Sequence, residues 1–182
     1  MRVISGTLKG RNILGYDIEG TRPTMDRVKE SLFATIYDYL EDSTFLDLFC
    51  GSGNIGIEAI SNGSKLCYFV DNNSEACKVV RKNIDNLNIN DKAIVLNYDY
   101  KKSIKMFGSE GKKFDVIFAD PPYDYHVIDK ILGLIDEYDI LNDNGIVVVE
   151  FEKEKLKDSY GKLKLIKEKK YSWKQVYIYK KQ

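Results

Sequence analysis

From Thr44 onward the chain alternates between short apolar runs and longer stretches in which apolar residues return every three or four positions. The runs predict buried strands and the periodic stretches predict amphipathic helices. Strands are expected at Phe45–Phe49, Leu66–Val70, Ala93–Leu96, Asp115–Ala119 and Gly145–Phe151. Between them, a glycine loop at Cys50–Gly56 opens a helix through Asn62, Ser74 caps a helix through Leu87, and a short helix runs to Phe107. A further helix spans Val127 to Ile135, with Ile128, Ile131, Leu132 and Ile135 on one face. Such βα alternation means a parallel sheet with helices on both faces, a Rossmann-like α/β fold. The end differs: Leu163–Lys167 and Gln175–Tyr179 are separated by a short turn only, and predict an antiparallel pair on one edge. The expected sheet is seven-stranded and mostly parallel. Ahead of it, Val28, Leu32, Ile36 and Leu40 recur every four residues, flanked by Phe33 and Tyr37, which predicts a helix over 24–41. Pro23-Thr24 with Asp26 in the first turn marks its start. Residues 1–20 carry too few apolar side chains for a core of their own. With Gly6 and Gly10 at bends, they read as an arm or hairpin that packs on the main domain or reaches toward a partner.

The fourth strand runs into Asp120-Pro121-Pro122-Tyr123. Two prolines stop a strand, because each lacks an N–H and fixes its φ. The stop leaves a carboxylate, prolyl carbonyls and an aromatic ring at a strand's C-terminal end, where open α/β sheets bind ligands. A planar group with an exocyclic amine fits such a turn. Asp120 and the Pro121 carbonyl would accept its two N–H bonds, and Tyr123 would stack on its face.

The loop Gly51-x-Gly53-x-x-Gly56 matches the dinucleotide fingerprint, and Asp71 lies twenty residues beyond its start. On this loop alone a nicotinamide-dependent dehydrogenase competes. Asp47, on the strand just before the loop, counts against it: it would repel a pyrophosphate but receive an ammonium. Asp71 ends the second strand, where it can bind ribose hydroxyls, and Asp99 ends the third, placed to accept from an adenine amine. S-adenosylmethionine has an ammonium, a ribose diol, an adenine and no phosphate. Three acids at three successive strand ends, with Gly51, Ser52 and Gly53 between them, fit that cofactor better than a dinucleotide.

Charge adds a partner class. The formal net charge is zero, but residues 1–29 hold six Lys/Arg against three Asp/Glu, and residues 153–182 hold eleven against three. The middle of the chain is correspondingly acidic. A basic surface built from the two chain ends suits a polyanion. Arg22, Arg27 and Lys29 sit at the start of the first helix, against its dipole, which points them to an anionic partner. No apolar run approaches the ~20 residues of a membrane span, and the N-terminus lacks a signal peptide's apolar region, so a cytoplasmic protein is expected. Cys50, Cys67 and Cys77 are odd in number and lack the C-x-x-C spacing, so neither a disulfide framework nor a metal site is expected.

Phe49-Cys50-Gly51-Ser52-Gly53 and Asp120-Pro121-Pro122-Tyr123 resemble the motifs of class I amino-group methyltransferases. Arg22-Pro23-Thr24-x-Asp26-Arg27-Val28-Lys29-Glu30, with the arm's Gly6 and Lys9-Gly10-Arg11, resembles the bacterial 16S rRNA guanine-N2 methyltransferase family of the RsmD type over nearly the whole chain. Departures are modest: Cys50 replaces a commoner Ala, and Asp71-Asn72-Asn73 stands where the family has a Glu-x-Asp pattern. The resemblance implies an arm at 1–20, a methyltransferase domain at 21–182, and S-adenosylmethionine as cofactor. It implies a guanine of 16S rRNA in a partly or fully assembled small ribosomal subunit as substrate, with Arg11, Arg22, Arg27 and Lys29 toward the RNA. Asp120, Pro121, Pro122 and Tyr123 would then hold the target base, unstacked from its surroundings. A DNA amino methyltransferase shares D-P-P-Y, and a binding module without catalysis would keep the fold and the basic ends.

Overall fold

The computed structural model describes residues 1–15, 26–122 and 126–182. Five parallel strands make the expected sheet: β1 (Thr44–Asp47), β2 (Leu66–Val70), β3 (Ala93–Leu96), β4 (Phe114–Ala119) and β5 (Leu141–Phe151). The helices between and before them are α1 (Asp26–Ile36), α2 (Asn54–Ser61), α3 (Ser74–Leu87), α4 (Tyr100–Ser109) and α5 (Ile128–Tyr138). The chain ends in β6 (Ser159–Tyr160), β7 (Leu163–Lys170) and β8 (Gln175–Lys181). Strand order is β3-β2-β1-β4-β5-β8-β7-β6, with β8 antiparallel to β5 and β7 antiparallel to β8. Among the described residues the sheet therefore has eight strands rather than seven. The addition is the two-residue β6, too short to show a periodicity of its own, which pairs through Tyr160 and Leu163.

Alternate residues of each central strand feed opposite faces, as the pleat requires. Phe45, Val116, Phe118, Ile146 and Val148 join Leu32, Phe33, Ile36, Ile57, Val80 and Ile84 in a core beneath α1, α2 and α3. Leu46, Ile117, Ala119, Val147 and Val149 join Ile104, Phe107, Ile131, Leu132 and Ile135 beneath α4 and α5. The first helix stops earlier than its periodicity suggests. After Ile36 the chain tightens into a 3₁₀ turn at Tyr37–Tyr39, and the start of the predicted element lies outside the described residues.

The N-terminal arm closes on itself through an antiparallel bridge of Arg2 with Asn12, and packs on the main body. Val3 and Ile13 are buried in the first core. The Glu58 carboxylate on α2 accepts the backbone amides of Ile4 and Ser5, and the Lys29 ammonium reaches Glu58 at 3.0 Å, Asn54 Oδ1 at 2.8 Å and the Arg2 carbonyl at 2.9 Å. Gly6 has φ 81°, and a Cβ there would lie 1.9 Å from the Ser61 carbonyl oxygen, so only glycine lets the arm lie this close to α2.

Candidate active site

Sheet order fixes where a ligand would sit. From β1 the chain winds outward through β2 to β3, and then returns to place β4 on β1's other side. The crevice outside the C-terminal ends of β1 and β4 is the topological switch point, the ordinary ligand site of such sheets. Asp47 is the last residue of β1 and Asp120 follows the last residue of β4, so the two motifs singled out in the sequence face each other across this crevice.

Asp47 is buried, and its Oδ2 accepts the Gly56 amide at 3.0 Å. Burial, opposed by that hydrogen bond and reinforced by the charges of Asp71 and Glu150, pushes its carboxyl up to about 7. The loop between them is held in shape from outside. Asn83 donates to the Ser52 carbonyl at 2.9 Å and exchanges hydrogen bonds with Leu14 of the arm. Ser52 is itself buried, so it shapes the loop. Gly51 and Gly53 take φ 53° and 84°; a Cβ built on Gly51 meets nothing within 4 Å, which leaves that side of the loop open for close approach. Gly56 serves packing instead, since a Cβ there would fall 2.3 Å from the Phe69 ring and 2.7 Å from the Cys67 sulfur.

Asp71 follows β2. Its Oδ2 accepts the Gly51 amide at 3.0 Å and its Oδ1 accepts the Asn73 amide at 2.9 Å, which fixes the carboxylate beside the loop with lone pairs to spare. Asp99 caps α4 through Lys102 N at 2.7 Å. It also lines a cavity of about 130 Å³ with Leu48, Phe49, Asn72, Tyr98 and Tyr100. The Phe49 and Tyr100 rings lie 5.5 Å apart in that wall. Sequence reasoning assigned Asp99 but missed this aromatic lining, whose signal was the pair of tyrosines flanking Asp99.

Asp120 and Glu150 stand side by side on neighbouring parallel strands: Ala119 pairs with Val149, Asp120 follows the end of β4, and Glu150 is the next-to-last residue of β5. Burial, followed by the Glu150 charge, raises the Asp120 carboxyl well above the usual carboxylate range, and Glu150 Oε1 is buried without a hydrogen-bond partner among the described residues. Lys174, just before β8, forms an ion pair with Glu150 Oε2, and both side chains are buried. Neither Glu150 nor Lys174 was singled out from sequence. They belong to an apolar strand and a lysine-rich tail, and only the antiparallel return of β8 brings them together. Pro121 and Pro122 line a groove with Glu150, His126 and Glu154. Tyr123 lies outside the described residues.

The basic candidates divide. Arg27 is exposed, and Arg11 is exposed with its guanidinium donating to the Asn86 carbonyl at 2.9 Å. Arg22 lies outside the described residues. Lys29 corrects the sequence expectation. It is fully buried with its ammonium spent on Glu58, Asn54 and Arg2, because it sits on the inward face of α1 beside Val28 and Leu32. The three cysteines are free and buried, and burial pushes the Cys50 and Cys67 thiols well up. No described helix is long and apolar enough to cross a membrane.

Comparison with known proteins places this geometry. Residues 1–180 match the model of a family described as Conserved hypothetical protein 95. The chain is 40% identical over 182 residues to YlbH of Bacillus subtilis, covering all of this chain and 99% of that one. It is 34% identical over 170 residues to Ribosomal RNA small subunit methyltransferase D of Haemophilus influenzae, covering 93% of this chain and 88% of that one. Among solved structures, yhhF of Escherichia coli superposes with TM-score 0.88 at 28% identity, over 100% of this chain and 98% of that chain.

Proposed function

The chain belongs to the Conserved hypothetical protein 95 family, the RsmD type of class I S-adenosylmethionine-dependent methyltransferase, and on that premise we propose that it methylates the exocyclic N2 amine of a guanine in 16S rRNA. The observation that carries the reading is the juxtaposition at the switch point: a strand-stopping Asp120-Pro121-Pro122 on one side and the glycine loop with Asp47 on the other. The edge is also rich in carboxylates. Asp47 is raised by the charges of Asp71 and Glu150, and Asp120 by those of Glu150 and Asp47, with Lys174 as the opposing cation. Such a site favours a ligand that brings positive charge, and S-adenosylmethionine brings an ammonium and a sulfonium, whose methyl is the electrophile it supplies when bound.

The protein's own residues then have distinct tasks. Asp47 receives the ammonium, Asp71 the ribose hydroxyls and Asp99 the adenine amine at the aromatic cavity. Asp120 and the Pro121 carbonyl accept the two N–H bonds of the guanine amine. The N2 lone pair is otherwise delocalised into the ring. Fixing both N–H bonds localises it and aims it, so rate enhancement comes from positioning and from electrostatics matched to the charge that develops on nitrogen. Arg11, Arg22 and Arg27 contact RNA phosphates, with the subunit's folded RNA presenting the base.

The test is transfer of radiolabelled methyl to naked 16S rRNA, unmodified small subunits, large subunits and duplex DNA, followed by nucleoside analysis. Label recovered as N2-methylguanosine from small-subunit material is the expected result. Label in DNA, or as a different nucleoside, overturns the substrate assignment. Bound cofactor with no transfer to any substrate overturns catalysis.

A further inference from the structure

The methyl transfer leaves a proton to be removed, and the groups behind Asp120 form a path for it. Glu150 is wholly buried between β4 and β8. Its Oε2 is occupied by Lys174. Its Oε1 is buried with no hydrogen-bond partner among the described residues, and Asp120 stands beside Glu150 on the neighbouring strand. A protonated Asp120 supplies the donor that this oxygen lacks, since two ionised carboxylates cannot hydrogen-bond each other. Lys174 makes its ion pair with Glu150, which sets the polarity: Glu150 is the ionised partner and Asp120 carries the O–H. Lys174 is in turn held by geometry, with its ammonium 4.7 Å from the Trp173 ring at the tip of the β7–β8 hairpin.

We propose that Glu150, held by Lys174, is a positioning residue for Asp120 and the terminus of a two-step proton relay for the amine that Asp120 holds. This rests on the methyltransferase reading above. In the resting arrangement Asp120 donates its O–H to Glu150 and presents its carbonyl oxygen to the amine, so the acid that accepts the amine's N–H is orientated from behind. On transfer, the N–CH₃ bond forms and the S–CH₃ bond breaks with its electron pair remaining on sulfur. The nitrogen's surplus proton passes to the Asp120 carbonyl oxygen, and the Asp120 O–H proton passes to Glu150 Oε1. Asp120 ends with one proton as it began, and Glu150 is neutral. Glu150 lines the groove with Pro121, Pro122, His126 and Glu154, through which its proton returns to water.

The charges facing this pair come from every neighbouring element. Asp47 at the end of β1 acts on Asp120, and Glu150 acts on Asp47, both raising proton affinity; Lys174 opposes them. His126, Glu152, Lys153 and Glu154 border the groove on the side of α5 and the β5 end. Lys174 is the cation of this cluster, so its removal leaves the Asp120 and Glu150 carboxyls without a counter-charge.

The experiment uses full-length Glu150→Gln and Lys174→Met, each checked for folding by circular dichroism. The first readout is the side-chain carboxyl ¹³C titration of the ligand-free protein. In the wild type, Asp120 titrates well above the usual carboxylate range. In Glu150→Gln the like charge is gone and an amide can donate to Asp120, so Asp120 ionises at lower pH. The second readout is single-turnover methyl transfer to small-subunit RNA against pH. Glu150→Gln lowers the rate by about 100-fold or more, within the range of general acid–base contributions. It flattens the acid limb and leaves S-adenosylhomocysteine affinity within about 3-fold. Lys174→Met keeps a high-pH plateau near wild type but moves the acid limb upward in pH. The relay is overturned if Asp120 titrates alike in wild type and Glu150→Gln, or if both variants retain the wild-type rate and profile. Should Glu150→Gln not fold, the displaced or undisplaced limb of Lys174→Met decides. A wild-type protein inactive on every RNA, but with the expected Asp120 titration, would sink the methylation reading while the shared-proton pair stands.

Discussion

Replacing Asp47 with Asn tests whether the glycine-loop edge is built to await a cation. In the ligand-free fold the carboxyl is pushed up to about 7 from 3.8, chiefly by burial and then by Asp71 and Glu150, so the folded state holds this proton more tightly than the unfolded chain. Between these two values the unfolded chain releases the proton and the folded protein keeps it, and stability falls as pH rises through the window. Above about 7 the full cost is present. A shift of about 3 units corresponds to roughly 4 kcal/mol at 1.36 kcal/mol per unit. Asparagine keeps the acceptor for the Gly56 amide and cannot ionise. Relative to wild type, Asp47→Asn should therefore gain about 4 kcal/mol on going from pH 4 to pH 8, or a melting-temperature difference on the order of 10 °C for a chain of this size. Urea unfolding of both proteins at pH 4, 6 and 8 measures it, and titrations of the other carboxylates largely cancel in the difference. Cofactor affinity should move the opposite way: near wild type at pH 5, where Asp47 is already neutral, and progressively weaker than wild type above pH 7, where only the wild type can meet an ammonium. A stability difference that stays constant within about 1 kcal/mol from pH 4 to pH 8 would refute the argument.

The other expectations are simpler. Asp120→Ala should nearly abolish methyl transfer while leaving S-adenosylhomocysteine affinity within a few-fold by calorimetry; loss of cofactor binding would show that Asp120 holds the cofactor rather than the base. Gly56→Ala must displace the Phe69 ring or the α2 backbone and should cost about 1–3 kcal/mol in urea unfolding. Gly133→Ala on α5, where an added Cβ meets nothing, should instead gain up to about 1 kcal/mol. Glu58→Ala leaves the Lys29 ammonium buried without a carboxylate and two arm amides without acceptors, which should cost about 3–5 kcal/mol. Pairing Glu58→Leu with Lys29→Met should recover most of that loss.

What could be read from sequence and what could not follow a physical division. The parallel strands were legible because burial on both faces writes a short continuous apolar run, as in Val116–Ala119 and Ile146–Val149. Asp71, Asp99 and Asp120 were legible because each acid stands where such a run ends, and the end of a parallel strand is a fixed place in the fold; Asp47 was legible because it interrupts an apolar run just before the glycine loop. Lys29 was misjudged for the opposite reason. Its position one residue after Val28 was read by charge alone, whereas a long aliphatic stem ending in an ion pair lets a lysine occupy a core-facing position when a buried carboxylate waits there. That carboxylate, Glu58, lies in the middle of an otherwise apolar helix, and the mutual compensation of the two was not visible in either one.

Glu150 shows where local reading stops altogether. Within Ile146–Phe151 it is one acid in an apolar run, indistinguishable from a strand's exposed end. Its meaning depends on two neighbours that come from 30 residues before it and 24 residues after it, Asp120 and Lys174, and on the sheet order that sets β4 and β8 on either side of β5. A buried acid with one oxygen on an ammonium and the other without a partner beside a second acid is costly to fold around. Packing does not require it, since an apolar residue would fill the same space between β4 and β8 at lower cost. The cost makes sense at the end of β4, where Asp120 must be held at one angle and its proton must have somewhere to go.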